Sequence, residues 1–167
     1  MKNRIVLVNG FSKTYCMTGW RLGWLVMPAK LAAKVELLMV HSVGCTAAFT
    51  QEAGLAALNG SQADVETMRQ AYRQRRDFIV DALNNISGIK RPVPECAFYV
   101  FPDISSFGVS SKAFVDMLLN DAGVAVLPGT DFGAHGEGKI RLTYVGEMMI
   151  LQEGVRRIAR ALEGLSK

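Results

Sequence analysis

Apolar residues recur at helical spacing in two long stretches of the chain, which predicts two amphipathic helices. The first begins at Ser61, which with Asp64 has the spacing of a capping box, although Asp replaces the usual Glu or Gln. Its stripe, interrupted only by Arg75, consists of Val65, Met68, Tyr72, Ile79, Leu83 and Ile86. The second stripe consists of Leu151, Val155, Ile158, Leu162 and Leu165. A helix as long as the first, about six turns, usually connects two packed layers or domains in a small protein.

Short apolar runs and propensities predict the remaining elements. Residues 5–8 form a continuous apolar run that predicts a buried strand before the turn signal Asn9-Gly10, and residues 24–27 form a second run that stops at Pro28. Further helices are predicted at 29–43, 49–58 and 111–121. Further strands are predicted at 97–101, 124–127 and 139–144. Strands that alternate with helices over short connections favour an α/β or α+β architecture, and we place a domain boundary near Ser61, between segments 1–60 and 61–167.

Length and composition define the broad class of protein. The chain has 167 residues, of which 50% are hydrophobic and 20% charged, so it is long enough to bury a sizeable core without disulfides or a structural metal. No apolar run approaches the roughly 20 residues of a membrane helix. The three cysteines are odd in number and widely spaced, which does not indicate a disulfide framework. We therefore expect a soluble, cytoplasmic protein with no membrane partner and no metal.

The net charge of +4 raises the question of nucleic-acid binding. The basic residues concentrate in two clusters: Arg69, Arg73, Arg75 and Arg76, and Arg156, Arg157 and Arg160. Both clusters belong to predicted helices whose opposite side is apolar, which is typical of a solvated helix face. The sequence contains neither zinc-finger spacing nor an RNA-binding aromatic signature. We expect no nucleic-acid partner.

The loop that follows the first predicted strand carries candidate chemistry. Lys13 lies between Ser12 and Thr14 near the end of that strand, and Arg21 follows in the same loop. A partly desolvated lysine amine is a usable nucleophile toward a carbonyl, and an arginine fork suits a phosphate. A lysine for an aldehyde, together with an arginine and hydroxyls for a phosphate, is the set that pyridoxal phosphate requires. The alternative, that Lys13 and Arg21 are ordinary surface charges, stays open at this point.

Arg141 is the second candidate. Within 139–144, alternation places Ile140, Leu142 and Tyr144 on one face of the predicted strand and Arg141 with Thr143 on the other. An arginine in an apolar strand is costly to bury without a partner. Spacing leaves three possibilities: a solvated edge, a pair with an internal carboxylate, or a cleft that binds an anionic ligand.

Four strings of the sequence match the motifs of a known family. They are NGFSKTYCMTGWRLGW from Asn9, CAFYVFPD from Cys96, GVAVLPG from Gly123 with Phe132-Gly133, and GKIRLTY from Gly138. With these strings the chain resembles the class I/II aminotransferases of pyridoxal-phosphate fold type I. They follow the order and spacing of that family over essentially the whole chain. The resemblance implies an α/β fold comprising the C-terminal part of such a transferase: a remnant of the large cofactor-binding domain (1–60), then the long interdomain helix and an α+β small domain (61–167).

The resemblance also implies roles for particular residues. Lys13 would bind the aldehyde of pyridoxal phosphate and later move a proton between the substrate Cα and the C4′ atom of the cofactor. Arg21, helped by Ser12, would bind the cofactor phosphate. Arg141 would bind the α-carboxylate of an amino-acid substrate. The implied reaction is transfer of an amino group from an amino acid to a 2-oxo acid, in a family whose members are dimers.

In chains of this family the lysine motif lies well into the sequence, whereas only twelve residues precede Lys13 here. The resemblance therefore implies a C-terminal fragment that lacks other parts of the cofactor site. We expect this chain alone to bind pyridoxal phosphate weakly or not at all, to be inactive, and to self-associate through exposed apolar surface. Two other functions stay open: a non-catalytic remnant or partner-binding module, and a pyridoxal-phosphate-dependent C–S lyase or decarboxylase of the same fold.

Overall fold

The chain folds into two compact units, Met1–Thr67 and Met68–Lys167, in a computed structural model that describes residues 2–90 and 92–163. The division between the units falls inside the long helix whose start the sequence places near Ser61. In the described part of the chain, no helix combines the length and apolarity needed to cross a membrane.

The first unit is built on an antiparallel hairpin. Strand β1 (Leu7–Gly10) pairs with strand β2 (Gly23–Val26), with Leu7 opposite Val26 and Gly10 opposite Gly23. The loop between the strands contains the short helix α1 (Phe11–Thr14) and a 3-10 turn (Thr18–Trp20). Helices α2 (Ala29–Ser42) and α3 (Ala48–Asn59) follow, and a 3-10 turn (Lys2–Arg4) precedes β1. The sequence predicted both helices to within about two residues.

The hairpin is exposed, so the prediction of a buried first strand is wrong. A strand is present, but the Val8 residue is 73% exposed, and every residue of β2 is exposed as well. A two-stranded hairpin has too little surface to cover its own apolar side chains and needs other elements against its faces. The described core of the first unit is small and consists of Phe11, Met17, Thr50 and Gly54.

Gly54 lets α3 approach the loop between the strands. A Cβ at this position would lie 2.5 Å from Cδ2 of Leu22 and 3.5 Å from Cζ of Phe11. The absence of a side chain at Gly54 is therefore what permits α3 to pack on the loop that carries the candidate residues.

The second unit combines three helices with a small antiparallel sheet. Helix α4 (Ala63–Asn84) leads into it from the first unit. Strands β3 (Tyr99–Val100), β4 (Leu127–Pro128) and β5 (Ile140–Thr143) form a sheet in the order β3-β5-β4, with helix α5 (Ser111–Ala122) before β4 and helix α6 (Met148–Glu163) after β5. Tyr99 lies opposite Thr143, and Leu127 lies opposite Arg141. Three 3-10 turns connect these elements: Ser105–Phe107, Gly129–Phe132 and Ala134–Gly136.

The core of the second unit confirms the helical stripes. The members of the two stripes that lie in this core are Ile79, Leu83, Leu151, Val155, Ile158 and Leu162. Leu165, the last residue of the second stripe, lies outside the described residues. Arg75 interrupts the first stripe because its Nη1 donates to the carbonyl of Val145 over 3.0 Å and its guanidinium lies against the Tyr72 ring.

The strands of the second unit are shorter than the sequence indicated. Of the predicted strand 124–127, only Leu127 pairs in the sheet. The N–H of Val124 instead donates to the carbonyl of Leu118 over 2.9 Å, after Gly123 in the left-handed region ends α5. Val124 therefore belongs to the C-terminal cap of α5, although the apolar run had predicted that it would pair in a strand.

Gly129 and Gly136 of the second unit lie against each other's backbone. A Cβ at Gly129 would lie 2.1 Å from the carbonyl oxygen of Gly136, and a Cβ at Gly136 would lie 1.9 Å from that of Gly129. The N–H of Gly129 also donates to the carbonyl of Lys139 over 2.8 Å. This contact fixes the turn Gly129–Phe132 beside the start of β5.

We predict that Gly129→Ala lowers the free energy of unfolding by about 3 kcal/mol, because the added methyl group must displace backbone. Gly154→Ala is the matched control: Gly154 lies within α6, and a Cβ there meets nothing within 4 Å. That control should raise the free energy of unfolding by about 0.5–1 kcal/mol. Urea unfolding of the second unit measures both, and equal stability of the two variants would contradict the close approach.

Candidate active site

The candidate residues of the first unit lie in the loop that connects the paired strands β1 and β2. Ser12 and Lys13 belong to α1, directly after β1, and Arg21 lies just before β2. The N–H of Phe11 donates to the carbonyl of Leu22 over 3.1 Å, which continues the strand pairing into the loop. Lys13 and Arg21 are therefore attached close to the same pair of strand ends.

The interior of the loop is held by backbone hydrogen bonds and by two unusual conformations. The carbonyl of Phe11 accepts from the N–H groups of Tyr15 and Met17 over 3.2 and 3.4 Å. Cys16 and Arg21 lie in the left-handed region, with φ of 54° and 52°. Such conformations cost non-glycine residues about 1–3 kcal/mol each. The hydrogen bonds and the burial of Phe11 and Met17 offset that cost.

Arg21 retains donors for a ligand. Its Nη1 donates to the carbonyl of Thr18 over 2.8 Å, which uses one of the five guanidinium N–H groups. Among residues 2–90 and 92–163 no carboxylate pairs with it. Arg21 lines an open cavity of about 1100 Å³. This is a suitable position for recognising a phosphate.

Lys13 and Ser12 do not line this cavity, and Lys13 is exposed. The described residues of this chain therefore do not provide the burial that would partly desolvate the amine. The physical reason is the same as for β1: the hairpin surface next to the lysine is itself open to solvent. Lys13 does take part in an interaction within the chain.

Thr50 is a site residue that the sequence did not single out. It is 4% exposed, lines the cavity together with Arg21, and its hydroxyl makes no hydrogen bond with the described residues. A buried hydroxyl without a partner is costly, so this oxygen is suited to a ligand or a water in the cavity. The available signal was a polar residue at the start of a predicted helix that is otherwise mostly apolar.

The side chains of the first unit fit pyridoxal phosphate in their chemistry. An amine, a guanidinium and hydroxyl groups occur within one loop and the helix packed on it, and the cavity beside Arg21 and Thr50 leaves room for a phosphate. These are the groups required by a phosphorylated aldehyde.

Arg141 is positioned by the alternation that the sequence predicted. Ile140, Leu142 and Tyr144 are buried in the core, while Arg141 is half-buried on the other face of β5. Its guanidinium carbon lies 4.4 Å from the centroid of the Tyr99 ring and 4.0 Å from that of Phe132. In the described part of the chain no carboxylate pairs with it, so the alternative of an internal ion pair does not hold there.

Glu137 anchors the segment that leads into β5. Its Oε1 accepts the N–H of Ser111 at the start of α5 over 2.7 Å, and the Oγ of Ser111 accepts the N–H of Lys139 over 3.1 Å. The hydrogen bond from the Ser111 N–H lowers the pKa of Glu137 below its ordinary value, because it stabilises the carboxylate. The carboxylate thus ties the N-terminus of α5 to the strand that carries Arg141.

The second arginine cluster forms ion pairs on the surface of α6. Glu153 accepts from Nε of both Arg156 and Arg157 over 2.7 Å. These hydrogen bonds lower the pKa of Glu153 to about 2. The charges of Arg156 and Arg157 are therefore partly neutralised within the helix, as expected of a solvated helix face.

The sequence and the structure of this chain are both similar to those of known proteins. The sequence model described as aminotransferase class I and II matches residues 1–158. The aspartate aminotransferase of Pyrococcus horikoshii is 45% identical over 161 residues, covering 95% of this chain and 41% of the relative, and that of Musicola paradisiaca is 45% identical over 163 residues, covering 97% and 41%. The crystal structure of an aromatic aminotransferase from P. horikoshii superposes with a TM-score of 0.94 at 38% identity, covering 98% of this chain and 44% of that one.

The fold and the matched sequence are those of the pyridoxal-phosphate-dependent transferases of fold type I, of which this chain has a partial α/β fold. The chain belongs to the class I and II aminotransferases. It spans about two fifths of the length of the relatives it matches, 41% in both aspartate aminotransferases.

We predict that Glu137→Gln lowers stability at neutral pH and that its difference from the unsubstituted chain shrinks in acid. Folding lowers the pKa of Glu137. Its carboxylate therefore contributes to the free energy of unfolding in full when the pH is above the pKa of the unfolded chain. This contribution is lost as the pH falls through the pKa of the folded chain. Urea unfolding of the second unit at several pH values measures this dependence. Glu95→Gln, at an exposed residue, is the control, and an identical pH dependence in both variants would contradict the capping role.

Proposed function

We propose that this chain supplies active-site residues for the transfer of an amino group from an amino acid to a 2-oxo acid with pyridoxal phosphate. The observation that carries the proposal is the loop between β1 and β2, which holds Ser12, Lys13 and Arg21 between paired strand ends in a member of the aminotransferase family.

Lys13 has the central role in this proposal. Pyridoxal phosphate, when bound, supplies a ring that accepts electrons and so stabilises negative charge at the substrate Cα. Lys13 binds the cofactor aldehyde through Nζ and, once released, moves a proton at the substrate Cα. The nucleophile in this role is the neutral form of the amine.

Arg21 and Ser12 bind the cofactor phosphate in this proposal. The guanidinium of Arg21 offers charge-assisted hydrogen bonds, and its attachment beside Gly23 keeps it close to the strand end. The Ser12 hydroxyl is on the first turn of α1 and outside the lining of the cavity beside Arg21, so in this proposal it adds its donor from the other end of the loop once the phosphate is bound.

Arg141 binds the α-carboxylate of the substrate. Its planar fork matches the two carboxylate oxygens. Because every amino acid carries this carboxylate, Arg141 defines the substrate class and leaves the choice of side chain to other residues. The similar proteins include both aspartate and aromatic aminotransferases, which supports this division of roles.

We assign the two segments of the chain to different parts of the fold. Residues 1–60 correspond to the C-terminal part of the large cofactor-binding domain, and residues 61–167 to the interdomain helix and the small domain. The exposed hairpin and the well-buried second core support this assignment, since the second unit has its own core and the first has little.

We predict that the chain by itself gives no stoichiometric, Lys13-dependent absorbance band with pyridoxal phosphate. Lys13 is exposed, and the matched part of the relatives is only 41% of their length, so much of a complete site has no counterpart here. Titration of the chain, Lys13→Ala and Lys30→Ala with the cofactor tests this. A one-to-one band that is lost in Lys13→Ala and kept in Lys30→Ala, at an exposed lysine of α2, would overturn the prediction.

The assignment of function is tested in the same series by adding the complementary N-terminal part of the P. horikoshii aspartate aminotransferase. We expect amino transfer that Lys13→Ala abolishes and that Lys30→Ala leaves unchanged. Arg141→Lys should lower kcat/KM roughly 10- to 100-fold for all amino acids alike, through loss of a charge-assisted bidentate contact. An assembled complex whose activity survives Lys13→Ala would refute the proposal, as would one that only eliminates or decarboxylates amino acids.

Self-association is the second part of the proposal, and the exposed apolar surface of the first unit supports it. On α2, Leu37 and Val40 lie one turn apart with 58% and 60% of their surfaces exposed. Phe49 at the start of α3 is 70% exposed. Apolar surface of this extent favours association in water.

We expect the chain to elute as an oligomer in size-exclusion chromatography with light scattering. The double substitution Leu37→Lys/Val40→Lys should shift it toward the monomer, because charges on both partners would then meet across the contact. Met149→Lys, at a residue 74% exposed in the second unit, is the matched control. A monomer at all concentrations, or an oligomer insensitive to the double substitution, would contradict this surface as the contact.

A further inference from the structure

The guanidinium of Arg141 has an unusual environment. It is half-buried, yet among residues 2–90 and 92–163 it donates no hydrogen bond and has no carboxylate partner. Its contacts are the rings of Tyr99 and Phe132, whose centroids lie 4.4 and 4.0 Å from its carbon. The guanidinium carbon thus lies over both rings at contact distance.

Each ring is held by backbone that is fixed independently of Arg141. Tyr99 belongs to β3, where it pairs with Thr143 of β5, and its ring packs on Phe98 at 4.6 Å. Phe132 ends the turn that begins at Gly129, and its ring lies edge-on to that of Phe101 at 6.1 Å. The close approach of Gly129 to Gly136 fixes that turn. The two rings therefore form a preformed slot for a flat group.

We propose that Tyr99 and Phe132 are positioning residues that hold the guanidinium of Arg141 for a substrate carboxylate. The inference rests on the proposed carboxylate-binding role of Arg141. Aromatic rings attract a guanidinium through its charge and its flat shape. The two ring contacts use none of the guanidinium N–H donors, and a carboxylate can meet two of these donors with both of its oxygens.

The slot also restricts the side chain before any ligand arrives. An arginine on a strand surface has several rotatable bonds, and ordering them on binding weakens affinity. Contact with two rings removes part of that freedom in advance. The donors remain available because no described carboxylate competes for them.

The test is NMR of the whole chain, following the Nε–Hε signal of Arg141 during titration with propionate. The signal is assigned by its loss in Arg141→Lys. In the unsubstituted chain we expect a ring-current-shifted signal that moves saturably with propionate. Phe132→Leu and Tyr99→Leu should move the signal toward that of an unstacked arginine and weaken the propionate affinity about two- to fivefold.

Conservative variants separate positioning from general packing. Phe132→Tyr and Tyr99→Phe keep the rings and should keep both the shifted signal and the affinity, whereas a purely structural role of these residues would leave the propionate affinity of the leucine variants unchanged. Phe132 is 47% exposed, so its leucine variant remains folded. Equal propionate affinity in Phe132→Leu, Tyr99→Leu and the unsubstituted chain would overturn the slot and leave the role of Arg141 intact. An unsubstituted chain whose Arg141 signal ignores propionate would overturn that role, and this inference with it.

Discussion

Burial of one face of β5 is the constraint on which the organisation of the second unit depends. Ile140 and Leu142 enter a core shared by α4, α5 and α6, and this fixes the register of the central strand against both neighbours. Since side chains alternate along a strand, the same burial directs Arg141 to the opposite face. Hydrophobic packing thus determines where the charged group lies, and Glu137, through Ser111, holds the segment just before the strand.

In the first unit, strand pairing is well formed but hydrophobic packing is sparse. Its hairpin is well paired, and the pairing alone is enough to place Lys13 and Arg21 at the two ends of one loop. Its apolar surface, however, is largely uncovered, and Lys13 is exposed with it. Hydrogen bonds between the strands therefore set the positions of Lys13 and Arg21. The solvent exposure of Lys13 depends on a different interaction, the packing of other protein surface against the hairpin.

Periodicity in the sequence predicted the stripes of α4 and α6 and the outward direction of Arg141, because these depend on local spacing. Residue propensities predicted α2, α3 and α5, which are also local properties. Burial of residues 5–8 was predicted wrongly, since it depends on what packs against a strand and an apolar run does not contain that information. The ring contacts of Tyr99 and Phe132 were missed for a related reason: they arise from residues far apart in sequence that a three-stranded sheet and a tight glycine contact bring together. Thr50 required knowledge of the cavity it lines.

The backbone conformation of Arg21 illustrates a trade-off between local stability and charge. Its φ of 52° is one that glycine or asparagine adopts more readily. A protein engineer who ranked residues at this position by backbone energy alone would choose one of those two and would delete the guanidinium that faces the cavity. Screens for thermostable versions of this chain should therefore hold position 21 constant, because relief of backbone strain there would remove the guanidinium that we propose for the phosphate.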